Sequence, residues 1–312
     1  MGKEILVAGG TGLIGANLTF RLMQMGLPVM PTKFKNSDKI FKDFAQYDFR
    51  QFSDCLEATK NKSTVVICAA MSYGAKMNQE NPTSFILPNL KILSGLMEAC
   101  AQNNVKTIIL ISSSTVYQPF FSPIREDELD LNLSPFPSYL GVGWLYRYME
   151  QLASLYTITY GMKIIVFRPT SLYGPYDKFE DDVAHVIPGL IKKALRKDDP
   201  LEIWGSPNVV RDFLYIQDFI DDIVYSLTHD DIPANSPINV CSGSPLTILE
   251  AAGIIVQVCG YKPEIVWNAH KPSAIPYRTI DDTKYQCYFE KSKRTSFADG
   301  VQKSVDWYQQ QK

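Results

Sequence analysis

Apolar positions along the chain fall into two alternating kinds of run. EILVAGG (4–10), STVVICAA (63–70), KTIILISSS (106–114) and MKIIVFRPT (162–170) are short, rich in β-branched residues and apolar at nearly every position. Such runs suit strands buried on both faces of a parallel sheet. Between them, apolar residues recur at helical spacing over 13–25, 83–102 and 144–159, and PVMPTKF (28–34) supplies a further strand after the first helix. Strand and helix in alternation predict an α/β fold, a Rossmann-type doubly wound parallel sheet with its functional groups at the C-terminal ends of the strands.

After Pro169 the pattern changes. LYGPYDKFEDD is rich in turn residues, AHVIPGLIKKALRK has one apolar and one basic helical face, and 201–227 reads as strand, turn, strand, helix. A helix over 247–259, proline-bearing loops and a terminal helix ending at DWYQQ complete the chain. The expected division is a first domain over 1–170 and a smaller, interleaved C-terminal lobe over 171–312, some of whose segments return to the first.

Composition narrows the partners. Of 312 residues 46% are hydrophobic and 21% charged, and the formal net charge is -2. Lys33, Lys35, Lys39 and Lys42 alternate with acids and aromatics, which suits a solvated surface and gives no basic footprint for nucleic acid. No apolar run approaches the roughly 18 residues of a membrane span, and glycines arrive too soon after the N-terminus for a signal-peptide core. Six scattered cysteines without CxxC spacing fit buried thiols in a reducing cytoplasm. The separated His185, His229 and His270 argue against a zinc site.

VAGGTGLIG places Gly9, Gly12 and Gly15 directly after a strand and at the opening of a helix. That arrangement lets backbone N–H groups approach a pyrophosphate, so it points to a dinucleotide. The next strand should end near the adenosine ribose, where an acid selects NAD; Lys33 stands there instead, which favours the 2′-phosphate of NADP unless it is a plain surface lysine. Asp48 is placed either to accept from the adenine amino group or simply at the surface.

GGTGLIG (9–15), CAA (68–70), SSSTVY (112–117), RPTSLYGP (168–175), VVRDFLYIQD (209–218) and the tail RTIDDTK with RTSFADGVQKSVDWY together resemble the extended short-chain dehydrogenase/reductase family of nucleotide-sugar epimerases and dehydratases. Within it the pattern is nearest to the GDP-fucose synthase branch, through CAAMSYGAKMNQENPTSFILPNLKIL, LYGPYDKFEDDVAHVIPGLI and IWGSP. The resemblance implies an NAD(P)-dependent enzyme acting on a GDP-sugar for surface polysaccharide synthesis, cytoplasmic and homodimeric through the helices over 83–102 and 144–159. It implies a cofactor site of Gly9, Thr11, Gly12, Leu13, Ile14, Gly15, Lys33, Asp48, Phe49, Ala69, Ala70 and Pro169. Ser113 resembles the serine that hydrogen-bonds the reacting sugar oxygen, Thr115 stands where that branch has an acid/base cysteine, and His185 matches its acid/base histidine. Ser171, Trp204, Arg211 and Arg278 fall among substrate contacts, with Arg211 on the diphosphate. Read without the family, Arg211 after a turn and before an apolar strand can reach into the cleft and pair with phosphate, the alternative being a rim salt bridge to Asp212 or Asp218; His185 could be a packing residue, and Ser113 could serve its own turn.

One expected group is missing. The family's dyad is YxxxK, in which the lysine lowers the tyrosine pKa and holds the nicotinamide ribose. Counting from Tyr139 puts Gly143 at the lysine position; counting back from Glu150 makes the pair Val142 and Tyr146. Arg147 lies one residue off either face. Three explanations follow: a modified dyad using Tyr139 or Tyr146, a cofactor-using enzyme that relies on His185 for proton transfer, or a pseudoenzyme that binds nucleotide-sugar or NAD(P). A threonine hydroxyl at 115 cannot exchange protons as a thiol does, which favours a single redox, dehydration or one-centre epimerisation step.

Overall fold

The computed structural model describes residues 4–35, 38–71, 81, 83–180, 183–268, 275–289 and 294–311. His270, residues 72–80 and 82 of the CAAMSYGAKMNQENPTSFILPNLKIL stretch, and 181–182 lie outside the described residues.

Strands β1 (Glu4–Ala8), β2 (Val29–Lys33), β3 (Ala45–Gln46), β4 (Lys62–Ile67), β5 (Thr107–Ile111) and β6 (Lys163–Pro169) alternate with helices α1 (Leu13–Gln24), α2 (Phe52–Thr59), α3 (Ile86–Gln102) and α4 (Leu140–Tyr160). Beyond them come β7 (Ser171–Tyr173), α5 (Val186–Arg196), β8 (Leu201–Trp204), β9 (Val210–Arg211), β10 (Phe213–Tyr215) and α6 (Ile216–Thr228). The chain continues through β11 (Ile238–Val240), β12 (Leu246–Thr247), α7 (Ile248–Val258), β13 (Ile265–Asn268), β14 (Tyr277–Arg278) and α8 (Phe297–Gln310).

Seven strands form one sheet in the order β11-β6-β5-β4-β1-β2-β3, with every neighbouring pair parallel. Its two faces explain the unbroken apolar runs. Ile5 and Val7 of β1 join a cluster with Leu18, Leu22 and Phe219, whereas Leu6 and Ala8 join Leu96, Met97 and Met149 on the other side. Both strand faces are therefore covered by helices, as a parallel sheet requires. The order reverses between β1 and β4, and the crevice outside the strand ends there is where such sheets bind ligands. β11 comes from far beyond residue 170 yet closes the sheet beside β6. The short sheets β7/β10, β8/β13 and β12/β9/β14 stand outside the central one and carry Ser171, Trp204, Arg211 and Arg278.

The sequence pattern missed β3 and α2, which are too short to show a period. It also began α4 at 144. The helix instead starts at Leu140, and Gly143 is inside it for a steric reason described below.

A buried polar chain ties α4 to the sheet. Arg168 at the end of β6 grips Glu150 of α4 with two hydrogen bonds of 3.0 and 2.6 Å, both side chains being 4% exposed. Ser112 donates to the same carboxylate. Arg168 also donates to the Tyr117 hydroxyl at 2.8 Å, which donates to Asn239 of β11 at 2.7 Å, and Asn239 in turn holds the carbonyls of Ile124 and Asp281 at 3.0 Å each. Removing one member of such a pair strands a charge in the interior, which costs about 3–5 kcal/mol. Glu150→Leu should therefore lower the unfolding free energy by about that amount in urea titration, and adding Arg168→Met should restore most of it.

Candidate active site

The glycine turn after β1 is shaped by contact. Gly9 has φ +87, and a Cβ there would lie 2.6 Å from the Ala69 backbone, while one on Gly15 would meet the Gly9 carbonyl oxygen at 2.1 Å. The first helical turn thus packs directly on the strand ends. A Cβ on Gly12 would meet nothing within 4 Å, and Gly12 caps α1 without any side-chain hydrogen bond. Open space in front of uncapped N–H groups is what a pyrophosphate needs, so these residues fit a dinucleotide cofactor.

That space belongs to one cleft of about 1330 Å³. It is lined by Gly9, Thr11, Gly12, Leu13 and Ile14 at one end and by Lys33, Asp48, Phe49, Ala69 and Ala70 beside them. Ser113, Thr115, Tyr139, Tyr146, Pro169, Ser171, His185, Trp204, Arg211 and Arg278 complete its walls. Of the sequence-assigned site residues only Gly15 is absent from the lining, since it packs beneath the turn.

Two assignments at the adenosine end look different in three dimensions. The Lys33 ammonium donates to the carbonyls of Phe41 and Lys42 at 2.9 and 3.0 Å, so it pins the following turn. Asp48 holds Arg50 through both oxygens at 2.7 Å, a contact that keeps its carboxyl below the usual range. Lys35 and Arg50 flank the Phe34 ring at 5.0 and 4.6 Å. Arg50 lines the cleft beside Phe34, and the strand-end rule did not point to it.

At the centre, Ser113 caps the short turn Ser114–Val116. Its oxygen receives the Thr115 N–H at 3.2 Å and the Thr115 hydroxyl at 3.0 Å, which leaves its own proton to donate. His185, at the N-cap of α5, is 40% exposed and its Nδ1 lies 3.2 Å from Asp177 Oδ1. Asp177 lines the cleft as well; nothing in the local sequence beyond a turn signal marked it.

Arg211 is the most unusual charge in the cleft. It is 4% exposed, donates Nη1 to the carbonyl of Val210 at 2.6 Å, and leaves Nη2 without a hydrogen-bond partner among the described residues. The rim alternative does not hold: Asp212 is taken by Thr170 and Ser242, and Asp218 by Thr295. Burial, then the neighbouring Arg278, pulls the guanidinium below its ordinary pKa, with Tyr139 acting the other way. A buried guanidinium beside a second one calls for an anion. Arg278 bonds the Ser171 hydroxyl at 2.8 Å and lies 5.3 Å over the Tyr139 ring.

The family model for the NAD dependent epimerase/dehydratase family matches residues 5–241. The chain belongs to that family. It is 31% identical over 312 residues to a GDP-L-fucose synthase of Sinorhizobium fredii, covering 98% of this chain and 95% of the other. Among solved structures it resembles a GDP-6-OMe-4-keto-L-xylo-heptose reductase from C. jejuni at TM-score 0.87 and 21% identity, covering 99% of this chain and 98% of that one. It also resembles a GDP-mannoheptose C4 reductase from Campylobacter jejuni with NADP bound, at TM-score 0.83 and 22% identity, covering 98% of each. NAD or NADP fits the cradle of this epimerase/dehydratase family member.

At Gly143, the lysine position counted from Tyr139, contact closes the space for a side chain. A Cβ on Gly143 would lie 2.5 Å from Pro135 Cβ and 2.7 Å from the Thr115 carbonyl oxygen, so no side chain fits in the Tyr139 register. On α4 the cleft-facing pair is Val142 and Tyr146, one turn apart. Tyr146 has no cation beside it among the described residues, and burial pushes its phenol up to about 12. Arg147 cannot substitute, because its guanidinium donates to the Val116 and Leu133 carbonyls at 2.6 and 2.5 Å. Gly143→Ala should displace the 113–115 turn and destabilise the protein by about 1–3 kcal/mol, the usual range for an overpacked site. Thermal unfolding together with a crystal structure of the variant checks both.

Proposed function

We propose that the chain is an NAD(P)-dependent enzyme that reduces or epimerises a GDP-linked 4-keto sugar in the cytoplasm, for surface polysaccharide synthesis. The observation that carries this reading is Arg211, a buried guanidinium with no carboxylate partner among the described residues, facing the same cleft as a glycine cradle fit for a dinucleotide. Residues 1–170 would hold the cofactor and 171–312 the nucleotide-sugar. The diphosphate would meet Arg211 with Arg278 beside it, and the exposed indole of Trp204 offers a flat face at the cleft wall. The relatives named as GDP-sugar enzymes support the same substrate class.

When bound, the nicotinamide supplies or accepts hydride. The chain's own residues do the rest. Ser113, with two hydrogen bonds received and one proton to give, would hold the reacting sugar oxygen. Tyr139 sits at the start of α4 with the Arg278 guanidinium 5.3 Å from its ring centroid, so a phenol and a cation stand together in the cleft and Tyr139 would be the group that handles the sugar oxygen's proton. Tyr146, pushed up by burial and without a cation among the described residues, would be the weaker proton donor or acceptor. Thr115 donates into Ser113 and would serve to aim it rather than to move protons.

Homodimerisation belongs to the same proposal. Leu87 of α3 and Trp144, Tyr148, Leu155 and Ile158 of α4 are exposed large hydrophobics on two helices that pack together, an apolar surface suited to a second copy.

Mixing the protein with NADPH and a GDP-4-keto-6-deoxyhexose should consume nicotinamide absorbance. Tyr139→Phe should slow that by about 10²–10⁴-fold, the range of general acid–base catalysis, whereas Tyr146→Phe should cost less than tenfold. Binding of both ligands without turnover would instead identify a binding protein that has lost its chemistry. Arg211→Met should weaken GDP binding by about 2–5 kcal/mol in calorimetry while raising the melting temperature of the empty protein, since it removes an uncompensated buried charge.

A further inference from the structure

The side chain of Asp177 is 2% exposed, and the His185 imidazole lies against it. Its Oδ1 accepts the Lys178 N–H at 2.8 Å and faces His185 Nδ1 at 3.2 Å, while Oδ2 is buried with no hydrogen-bond partner among the described residues. The Lys178 ammonium is also in electrostatic contact, and burial holds its pKa below the ordinary value. An anion so enclosed is costly to keep unless its charge is used. The backbone that carries it is fixed from both sides. Tyr176, in the left-handed region at φ 65, packs its ring 4.9 Å from Trp307 of α8 and 5.5 Å from Phe20 of α1.

His185 meets this carboxylate with one nitrogen while 40% of its side chain stays exposed at the cleft wall. An imidazole that only filled space would not be half open and tethered to a buried acid. With Nδ1–H donated to Asp177, the lone pair is on Nε2, the nitrogen left for the cleft.

We propose, on the footing of the function above, that Asp177 is a positioning residue that holds His185 as the Nδ1–H tautomer, making Nε2 the base that takes a proton from the sugar carbon beside the ketone. The C–H electron pair moves into the carbonyl, whose oxygen takes the charge against the Ser113 hydroxyl. The proton resides on Nε2 as imidazolium, stabilised by Asp177, and returns to carbon when the carbonyl reforms. No oxidant or reductant enters this exchange. Because Thr115 is turned into Ser113, the step runs with one base.

The test uses the full chain and two readouts. Nitrogen chemical shifts of His185, assigned with His185→Gln, should show Nδ1 protonated and Nε2 bare in the wild type. In Asp177→Asn the amide can donate to Nδ1, so the proton should move to Nε2. In heavy water, without nicotinamide, the wild type should wash deuterium into a GDP-4-keto-6-deoxyhexose beside its ketone. Asp177→Asn should slow that by about 10³–10⁴-fold, as a wrong tautomer does in hydrolases, with KM within about threefold and the melting temperature little changed; Asp177→Glu should recover part of the rate. A wild-type imidazole with Nδ1 bare overturns the proposal even if a variant fails to fold. Exchange by Asp177→Asn at the wild-type rate overturns the role of Asp177 alone. The expected tautomer in a wild type that exchanges no deuterium overturns the catalytic role of His185 and with it the sugar reading.

Discussion

The ion pair between Arg168 and Glu150 is the constraint on which the site is built. A guanidinium at the end of a central strand and a carboxylate at the middle of α4 fix how that helix lies over the sheet. The same carboxylate takes Ser112, next to Ser113, and the same guanidinium reaches through Tyr117 and Asn239 to the last strand of the sheet. The reacting end of the cleft therefore inherits its geometry from charges that never face a ligand. In a medium where a lone charge is expensive, each member holds the next in place.

The lysine that the family places on α4 is absent from both registers of the dyad. At Gly143 the backbone approaches Pro135 and the Thr115 carbonyl too closely for any side chain, and at Tyr146 an apolar setting replaces the cation. Arg211 and Arg278 stand beside Tyr139 at the start of the same helix. The close approach at Gly143 lets α4 pack tightly against the serine turn.

Much of this was legible in the sequence where a physical rule links residues a fixed distance apart. The parallel strands were visible as β-branched runs because both sheet faces are covered, and the glycine cradle because a strand, a turn and a helix must follow one another at that spacing. Ser113, His185 and Arg211 were found through motif resemblance, and all three line one cleft. What stayed hidden depended on contacts between distant segments. Neither Arg50 flanking Phe34 nor Lys33 turned onto the carbonyls of Phe41 and Lys42 has a local signature. The same holds for Asp177 beneath His185, and for the start of α4, where Gly143 permits a close approach.

The aromatic cluster at the adenosine end has a mechanical consequence. Phe20 of α1, Phe41 and Phe44 after β2, Tyr176 of the loop after β7 and Trp307 of α8 pack ring against ring. They join the first segment of the chain, its middle and its last helix in one knot. One edge of the cleft is thus laced by rings from distant stretches of the chain, and the terminal helix, through Trp307, is built into its wall.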